Sequence, residues 1–413
     1  MSVSRHYDTL ETRDPAEREA AQFAALPRQI ANAKAHAAAF AELLKGVEPG
    51  DVTGREALAK LPVLRKSELL ERQKSAPPFG GVAAIPAAEA GRVFASPGPI
   101  YEPEGTGNDY WRLARALFAA GVRAGDLIHN TFAYHFTPAG AMMESGARAL
   151  GCPVVPAGVG QTELQVQAIA HLKPAAYVGT PSFLNIILDK AGEMKADVSS
   201  ITKGLVSGEA LPPSLRGQLQ DRGVDVLQCY ASADLGLIAY ESEAREGLIV
   251  DEGVIVEILR PGTGSPVAEG EVGEVVVTTF TPEYPLIRFG TGDLSAVLSG
   301  TSPCGRSNMR IKGWMGRADQ TTKVKGMFVH PSQVAAVVDR HGEVTRARLV
   351  VGSVDNQDVM TLHCETSVQD AKLVQAVASS IREVCKLRGE VKLVEPGSLP
   401  NDGKVIDDVR TYE

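Results

Sequence analysis

Ser207-Gly208-Glu209-Ala210, Tyr230-Ala231-Ser232-Ala233-Asp234, Arg288-Phe289-Gly290-Thr291-Gly292-Asp293-Leu294 and Asn401-Asp402-Gly403-Lys404 are the stretches of this sequence whose residue types suit chemistry on a bound ligand. The first three follow predicted strands, and in open α/β sheets ligands bind at the carboxyl ends of strands. Tyr230 offers an aromatic face on which a base can stack, and Asp234 a carboxylate that can hold a cation-bound phosphate. The small residues beside Asp293 would let its carboxylate approach a ribose diol. Singly these are weak signals. SGEA also reads as a turn into the helix at Pro212, Tyr230 as a core aromatic with Asp234 capping a turn, Asp293 as a plain turn aspartate and Lys404 as a solvated surface lysine.

Several common enzyme signatures are missing from the sequence: no GxxxxGK[ST], no GxGxxG after a predicted strand, no GxSxG and no HExxH. The eight histidines are dispersed, and packing or hydrogen bonding is the expected role of His129 and His135 rather than metal binding. Five scattered cysteines without a CxxC pair predict buried thiols, not a disulfide framework or a thiolate cage. With 42 Lys and Arg against 50 Asp and Glu, the net charge of −8 repels a phosphate backbone, so nucleic acid is not an expected partner. No apolar run reaches the roughly 18 residues a membrane span needs, and MSVSRHYDTLETRDPAERE lacks the apolar core of a signal peptide, so a soluble, cytoplasmic protein is expected.

The elements that must position these side chains follow from length and periodicity. At 413 residues the chain predicts two or three globular units, and its 41 Gly, 25 Pro and 5% aromatics suit a turn-rich α/β enzyme. Helices are expected over the first 45 residues and at Arg65–Lys74, followed by a long Pro, Gly and Ala-rich loop over Ser75–Gly107 with an occasional strand. Such long loops are usually functional or disordered, which makes this one a candidate for ligand contact. From Tyr110 to Leu227 helices and short apolar strands alternate, which signals βαβ units and a mainly parallel sheet. Val254–Leu259 and Glu274–Thr279 read as two antiparallel strands. The last stretch, with strands at Arg346–Val351, Val359–Thr366 and Val391–Val394 and a helix at Ala371–Leu387, forms a separate α+β unit of roughly 90 residues.

Taken together and in this order, the clusters resemble the adenylate-forming ligase superfamily, and nearly the whole chain is similar to its phenylacetate–CoA ligase branch. LPVLRKSELLERQ and PPFGG resemble that branch's N-terminal segment, HNTFAYHFTPAG and GCPVVPAGVGQTELQ its aryl-pocket region, and PLIRFGTGDL with GRADQTTKVKGMFVHP its ribose-binding and hinge segments. The resemblance implies an α/β fold with a large N-terminal AMP- and acyl-binding domain (residues 1–318) of mixed sheets and flanking helices, and a small mobile α+β C-terminal lid (residues 319–413). It implies an acid–CoA ligase acting on an aryl or arylacetic carboxylate, with ATP, CoA and Mg2+ as the reaction's small molecules, AMP as a product, and no membrane partner. It leaves a homodimer open. By position, Gly208, Glu209 and Ala210 line the adenine site and Tyr230 stacks on the base. Asp293 binds the ribose hydroxyls with Arg317 as its helper, and Asp234 is the Mg2+ ligand. Asp319 is the hinge, Lys404 the lid lysine of adenylation, Tyr134 and Phe136 line the acyl pocket, and Lys325-Gly326 enter the CoA channel.

The chain also departs from the family pattern. Where the family carries a Ser/Thr/Gly-rich phosphate loop, this sequence has Ala95-Ser96-Pro97-Gly98-Pro99-Ile100-Tyr101-Glu102-Pro103, in which Ser96 and Gly98 are the remnants. Prolines remove backbone donors and Glu102 adds a carboxylate. Ala233 replaces a usual Thr or Ser, Asp234 a usual Glu, and Gly290 a frequent Arg. Some relatives have a Cys/His cluster suited to zinc; here Ser242, Leu248 and Ser302 stand at those places beside Cys304, so no structural zinc is expected. These departures motivate two other readings: a catalytically impaired homologue that binds a nucleotide or acyl-CoA, and a ligase that loads a carrier-protein thiol.

Overall fold

The computed structural model describes residues 5–96, 99–318, 320, 322–325, 327–354, 357–402 and 404–410, with only the backbone described at Lys323, Phe328, Val354 and Gln357. Gly98, Asp319 and Gly326, three positions singled out from the sequence, lie outside the described residues. The chain forms two compact units. The first comprises Met1–Val256, Val277–Phe289 and Leu298–Trp314; the second comprises Glu257–Val276, Gly290–Val297 and Met315–Glu413.

In the first unit the predicted alternation becomes a doubly wound sheet. Strands Val154–Pro156, Ile128–Asn130, Ala176–Gly179, Lys203–Val206 and Asp225–Ser232 lie side by side in that order, all parallel. Helices Ala139–Ala149, Thr162–Leu172, Pro181–Met194 and Pro213–Asp221 connect them. Because side chains alternate across a strand, each strand feeds two cores. Val178, Leu205 and Leu227 pack with Leu113, Leu117 and Met142 on one face, while Tyr177, Val206 and Val226 pack with Ile169, Leu184, Ile187 and Leu219 on the other. Both faces are thereby covered, as parallel sheets require.

Two features extend the sequence reading. The strand expected to stop near Leu227 runs on to Ser232 and folds back as Gly236–Tyr240, with a register shift between Tyr230 and Ala231, so Tyr230 lies within the strand. The Pro-rich stretch after Ser75 contains a hairpin, Arg92–Ser96 against Ile100–Glu104, in which Pro103 faces Val93. Proline is tolerated in a two-stranded ribbon because each strand has a free edge.

The second unit contains a sheet ordered Glu390–Val394, Gln357–Glu365, Arg346–Val354, Ile406–Asp408, antiparallel at its centre. Helices Pro331–Val338 and Ala371–Cys385 pack on it through Val334, Val337, Val377 and Ile381 against Leu349, Val351, Met360 and Leu362. The helix Pro331–Val338 and the strand Ile406–Asp408 escaped the sequence reading. Among the described residues, no helix is long and apolar enough to cross a membrane.

Candidate active site

At the carboxyl end of the first unit's sheet, the strand Lys203–Val206 leads into Ser207–Ala210 beside Tyr230 on the neighbouring parallel strand. Ser207 Oγ donates to Cys229 O at 2.8 Å, tying this turn to the next strand. Gly208 takes φ +83°, a left-handed value that favours glycine. Glu209 Oε1 accepts from Ser182 N at 2.6 Å in the first turn of the helix Pro181–Met194, where a carboxylate is favoured. Gly208, Glu209 and Ala210 are exposed and Tyr230 is half-buried.

Asp234 is buried, and its Oδ2 accepts from Lys66 Nζ at 2.5 Å. The hairpin brings Ser96 Oγ within 2.6 Å of Glu102 Oε1, to which it donates, and Glu102 in turn lies in hydrogen-bonding reach of Asp234. Asp234 Oδ1, Glu102 Oε2 and the Tyr284 hydroxyl are buried and have no hydrogen-bond donor or acceptor assigned among the described residues. Burial, with the neighbouring Asp234 charge, pushes the Glu102 carboxyl up to about 8. The Asp234 carboxylate is a donor that fits Mg2+, which takes one or two carboxylates and completes its shell with phosphate and water. Among the described residues no group of three or more His, Cys, Asp or Glu gathers to cage a metal.

The raised Glu102 carboxyl has a measurable consequence. In the unfolded chain this group ionises in the ordinary carboxylate range, so from there up to about pH 8 the unfolded state binds fewer protons and stability falls as pH rises. Glu102→Gln removes that slope. Its melting temperature, relative to the parent in metal-free buffer, is expected to be higher near pH 8 than near pH 5; an equal difference at both values would show that Glu102 ionises normally.

In the second unit Arg317 Nη1 donates to Asp293 Oδ1 at 2.9 Å across an antiparallel bridge between the two residues. Gly292 makes this approach feasible. It sits at φ +75°, and a Cβ there would stand 2.8 Å from Arg317 Nη2. Gly292→Ala is therefore expected to displace the guanidinium and lower stability by about 1 kcal/mol through backbone strain; an unchanged melting temperature would contradict this. Arg317 and Lys404 line one cavity of about 310 Å³ together with Gln320, Thr322, Asp402 and Asp407. Lys404 is exposed, and its Nζ donates to Asp407 Oδ1 at 2.7 Å. Lys325 is exposed in the turn between Thr322–Val324 and Met327–Val329, at φ +48°, with its N–H donating to Asp358 Oδ2.

Tyr134, Phe136, His129, Ser242, Leu248, Ser302 and Cys304 belong to the first unit. Tyr134 OH accepts from Asn130 Nδ2 at 2.8 Å, and Phe136 is 81% exposed at φ +57°. His129 is fully buried beside Gln165 Oε1, and burial pulls its pKa down, so it is a neutral packed histidine. Ser302 Oγ lies 3.0 Å from Cys304 Sγ, and Ser242 also bonds this sulfur. Burial would raise the thiol's pKa, but these hydroxyls and Arg306 hold it below the ordinary value. Leu248 is a buried strand residue opposite Ile311.

Lys66 and the Glu102 bridge to Asp234 were not identified from the sequence as site members. Lys66 lies 168 residues from Asp234, a separation no spacing rule reaches. The available signals were its place in LPVLRKSELL and the anomaly of a carboxylate in a Pro-rich loop.

Comparison with known proteins bears on the whole chain. Residues 111–280 match the family described as AMP-binding enzyme, and residues 326–409 match the AMP-binding enzyme C-terminal domain. Phenylacetate-coenzyme A ligase of Aromatoleum evansii is 32% identical over 337 residues, covering 78% of this chain and 75% of the relative. The phenylacetate-coenzyme A ligase of Thermus thermophilus is 30% identical over 391 residues, covering 86% and 87%. An open conformation of 2-hydroxyisobutyryl-CoA ligase, crystallised with 2-HIB-AMP and CoA, matches with a TM-score of 0.73 and 25% identity over 97% of this chain and 93% of that one. The chain thus belongs to the phenylacetate–coenzyme A ligase-like family of AMP-forming acid–thiol ligases.

Proposed function

We propose that this chain activates an aryl or arylacetic acid with ATP as the acyl-adenylate and transfers the acyl group to CoA, with Lys404 serving the first half-reaction. The observation that carries the assignment of Lys404 is its shared cavity with Arg317, which is itself held by Asp293. A carboxylate is a poor electrophile. Its oxygen therefore attacks the α-phosphorus, pyrophosphate leaves with the electrons of the broken P–O bond, and the resulting mixed anhydride carries AMP as a leaving group. A compact ammonium at Lys404 neutralises the charge that develops between carboxylate and α-phosphate. The CoA sulfur then forms a bond to the carbonyl carbon and AMP departs.

Gly208, Glu209 and Ala210 line the adenine, Tyr230 stacks on it, and Asp293 with Arg317 holds the ribose hydroxyls. Asp234 Oδ1, buried without a donor among the described residues, is the oxygen available to Mg2+. A Mg2+ ion held by Asp234 would supply positive charge to the phosphates. Ser96 donates its hydroxyl to Glu102, which favours a structural role for this remnant of the phosphate loop. Tyr134 and Phe136 belong to the acyl pocket. Residues 319–413 move as the lid, with Asp319 as hinge, and bring Lys325-Gly326 to the CoA channel; each half-reaction needs water excluded from a reactive intermediate, and one lid with two positions serves both. The reaction belongs in the cytoplasm, where five free, buried thiols stay reduced.

Purified protein with ATP, Mg2+, CoA and a panel of aryl, arylacetic and aliphatic acids tests the substrate class. The highest kcat/KM for thioester formation is expected with an arylacetic or aryl acid. A preference for a short aliphatic or hydroxy acid would overturn the acyl assignment while leaving the ligase class intact.

A further inference from the structure

Arg348 lies on the strand Arg346–Val354, buried to 5% exposure, and reaches both sides of the segment that carries Lys404. Its Nη2 donates to Asp402 Oδ1 and, at 3.1 Å, to Pro400 O, while its Nη1 stands 3.6 Å from Asp407 Oδ2. Those two carboxylates hold Lys404. Asp402 Oδ1 accepts the Lys404 backbone N–H at 3.0 Å, and Asp407 Oδ1 accepts from Lys404 Nζ at 2.7 Å.

Neighbouring contacts pin the rest of the segment. Arg346 donates to Leu399 O and Pro400 O at 3.1 and 2.7 Å, and Gln320 Oε1 accepts from Val405 N and Ile406 N at 2.6 and 2.8 Å. Burial works to raise the Asp402 carboxyl, yet the Lys404 N–H and the Arg348 guanidinium hold it below the usual carboxylate range. A guanidinium is planar and presents its donors in a fixed fork, so one buried arginine can set two carboxylates at once.

We propose that Arg348 is a positioning residue for adenylation: it fixes Asp402 and Asp407, and through them the backbone and the ammonium of Lys404. The proposal rests on Lys404 as the adenylation lysine. A loose lysine still reaches the nucleotide, but it spends less time where charge develops, and a misplacement of about 1 Å can cost about a hundredfold in rate.

The test separates the half-reactions in the full-length protein, using acid-dependent exchange of pyrophosphate into ATP for the first and thioester formation from synthetic phenylacetyl-AMP and CoA for the second. Arg348→Met is expected to lower adenylation kcat by about a hundredfold, with the KM for ATP unchanged and thioester formation from the preformed adenylate retained. Arg348→Lys should recover part of the loss, since a point charge can hold one carboxylate but not both. Asp407→Asn, which leaves the Arg348–Asp402 contact in place, should show the same selective loss at smaller size. Equal loss in both half-reactions, or a folded Arg348→Met with full adenylation, overturns the proposal. If Arg348→Met fails to fold by circular dichroism, Asp407→Asn and Asp402→Asn decide, and full adenylation in both overturns it. Lys404→Ala run alongside separates the two levels: retained adenylation there removes the role of the lysine, whereas its loss with silent Arg348 and Asp407 variants removes only the clamp.

Discussion

Lys404→Ala is expected to slow acyl-adenylate formation by about 10²- to 10³-fold, the cost of removing one preorganised charge from the place where a transition-state anion develops. Thioester formation from preformed acyl-adenylate should be spared, because the charge built up in that step lies on the acyl carbonyl and the leaving phosphate rather than between an attacking carboxylate and a triphosphate. Stability should change little. The side chain is exposed, and its ion pair with Asp407 is of the surface kind that contributes little. Rapid-quench measurement of acyl-AMP formation, with the second half-reaction measured separately, checks this. Equal loss in both steps would mean that the lysine acts on folding or lid movement in general.

Asp293→Ala should raise the KM for ATP by roughly ten- to a hundredfold, the range expected when a charge-assisted hydrogen bond to a ligand is lost. The change acts twice. It removes the carboxylate assigned to the ribose hydroxyls, and it releases Arg317, whose side chain is 53% exposed and is paired to Asp293 at 2.9 Å. The conservative Asp293→Asn keeps one acceptor but loses the charge that orients the guanidinium, so an intermediate rise is expected. Titration with AMP by calorimetry gives the same comparison without turnover, and equal AMP affinity in the parent and Asp293→Ala would remove this residue from the nucleotide site.

The parallel sheet was legible because short strands alternate with helices from Ala139 to Asp221, and Tyr177, Val178, Leu205 and Val206 are apolar on both faces, as burial between two helical layers requires. Gly236–Tyr240 was missed because its pairing depends on a bulge at Tyr230, which leaves no periodic trace in the sequence. The helix Pro331–Val338, which has no counterpart in the sequence reading, opens on a proline at the first helical position, where its fixed φ and missing N–H fit well. Among the candidate residues, Asp293 and Arg317, paired in the sequence only through the family resemblance, stand together, Gly292 supplying the room. The contacts of Asp234 with Lys66 and Glu102 were not legible, since three distant segments meet there only after the sheet and hairpin have formed. The same holds for Arg348, a charged residue on a strand whose meaning depends on where residues 402 and 407 come to lie.

The central chemical claim is activation of a carboxylic acid as its adenylate. Acid-dependent exchange of labelled pyrophosphate into ATP, measured with phenylacetate and Mg2+ in the absence of CoA, tests this directly. Exchange that requires the acid and disappears in Lys404→Ala is the predicted result. No exchange with any member of an aryl, arylacetic and aliphatic acid series, from protein that binds AMP, would contradict it.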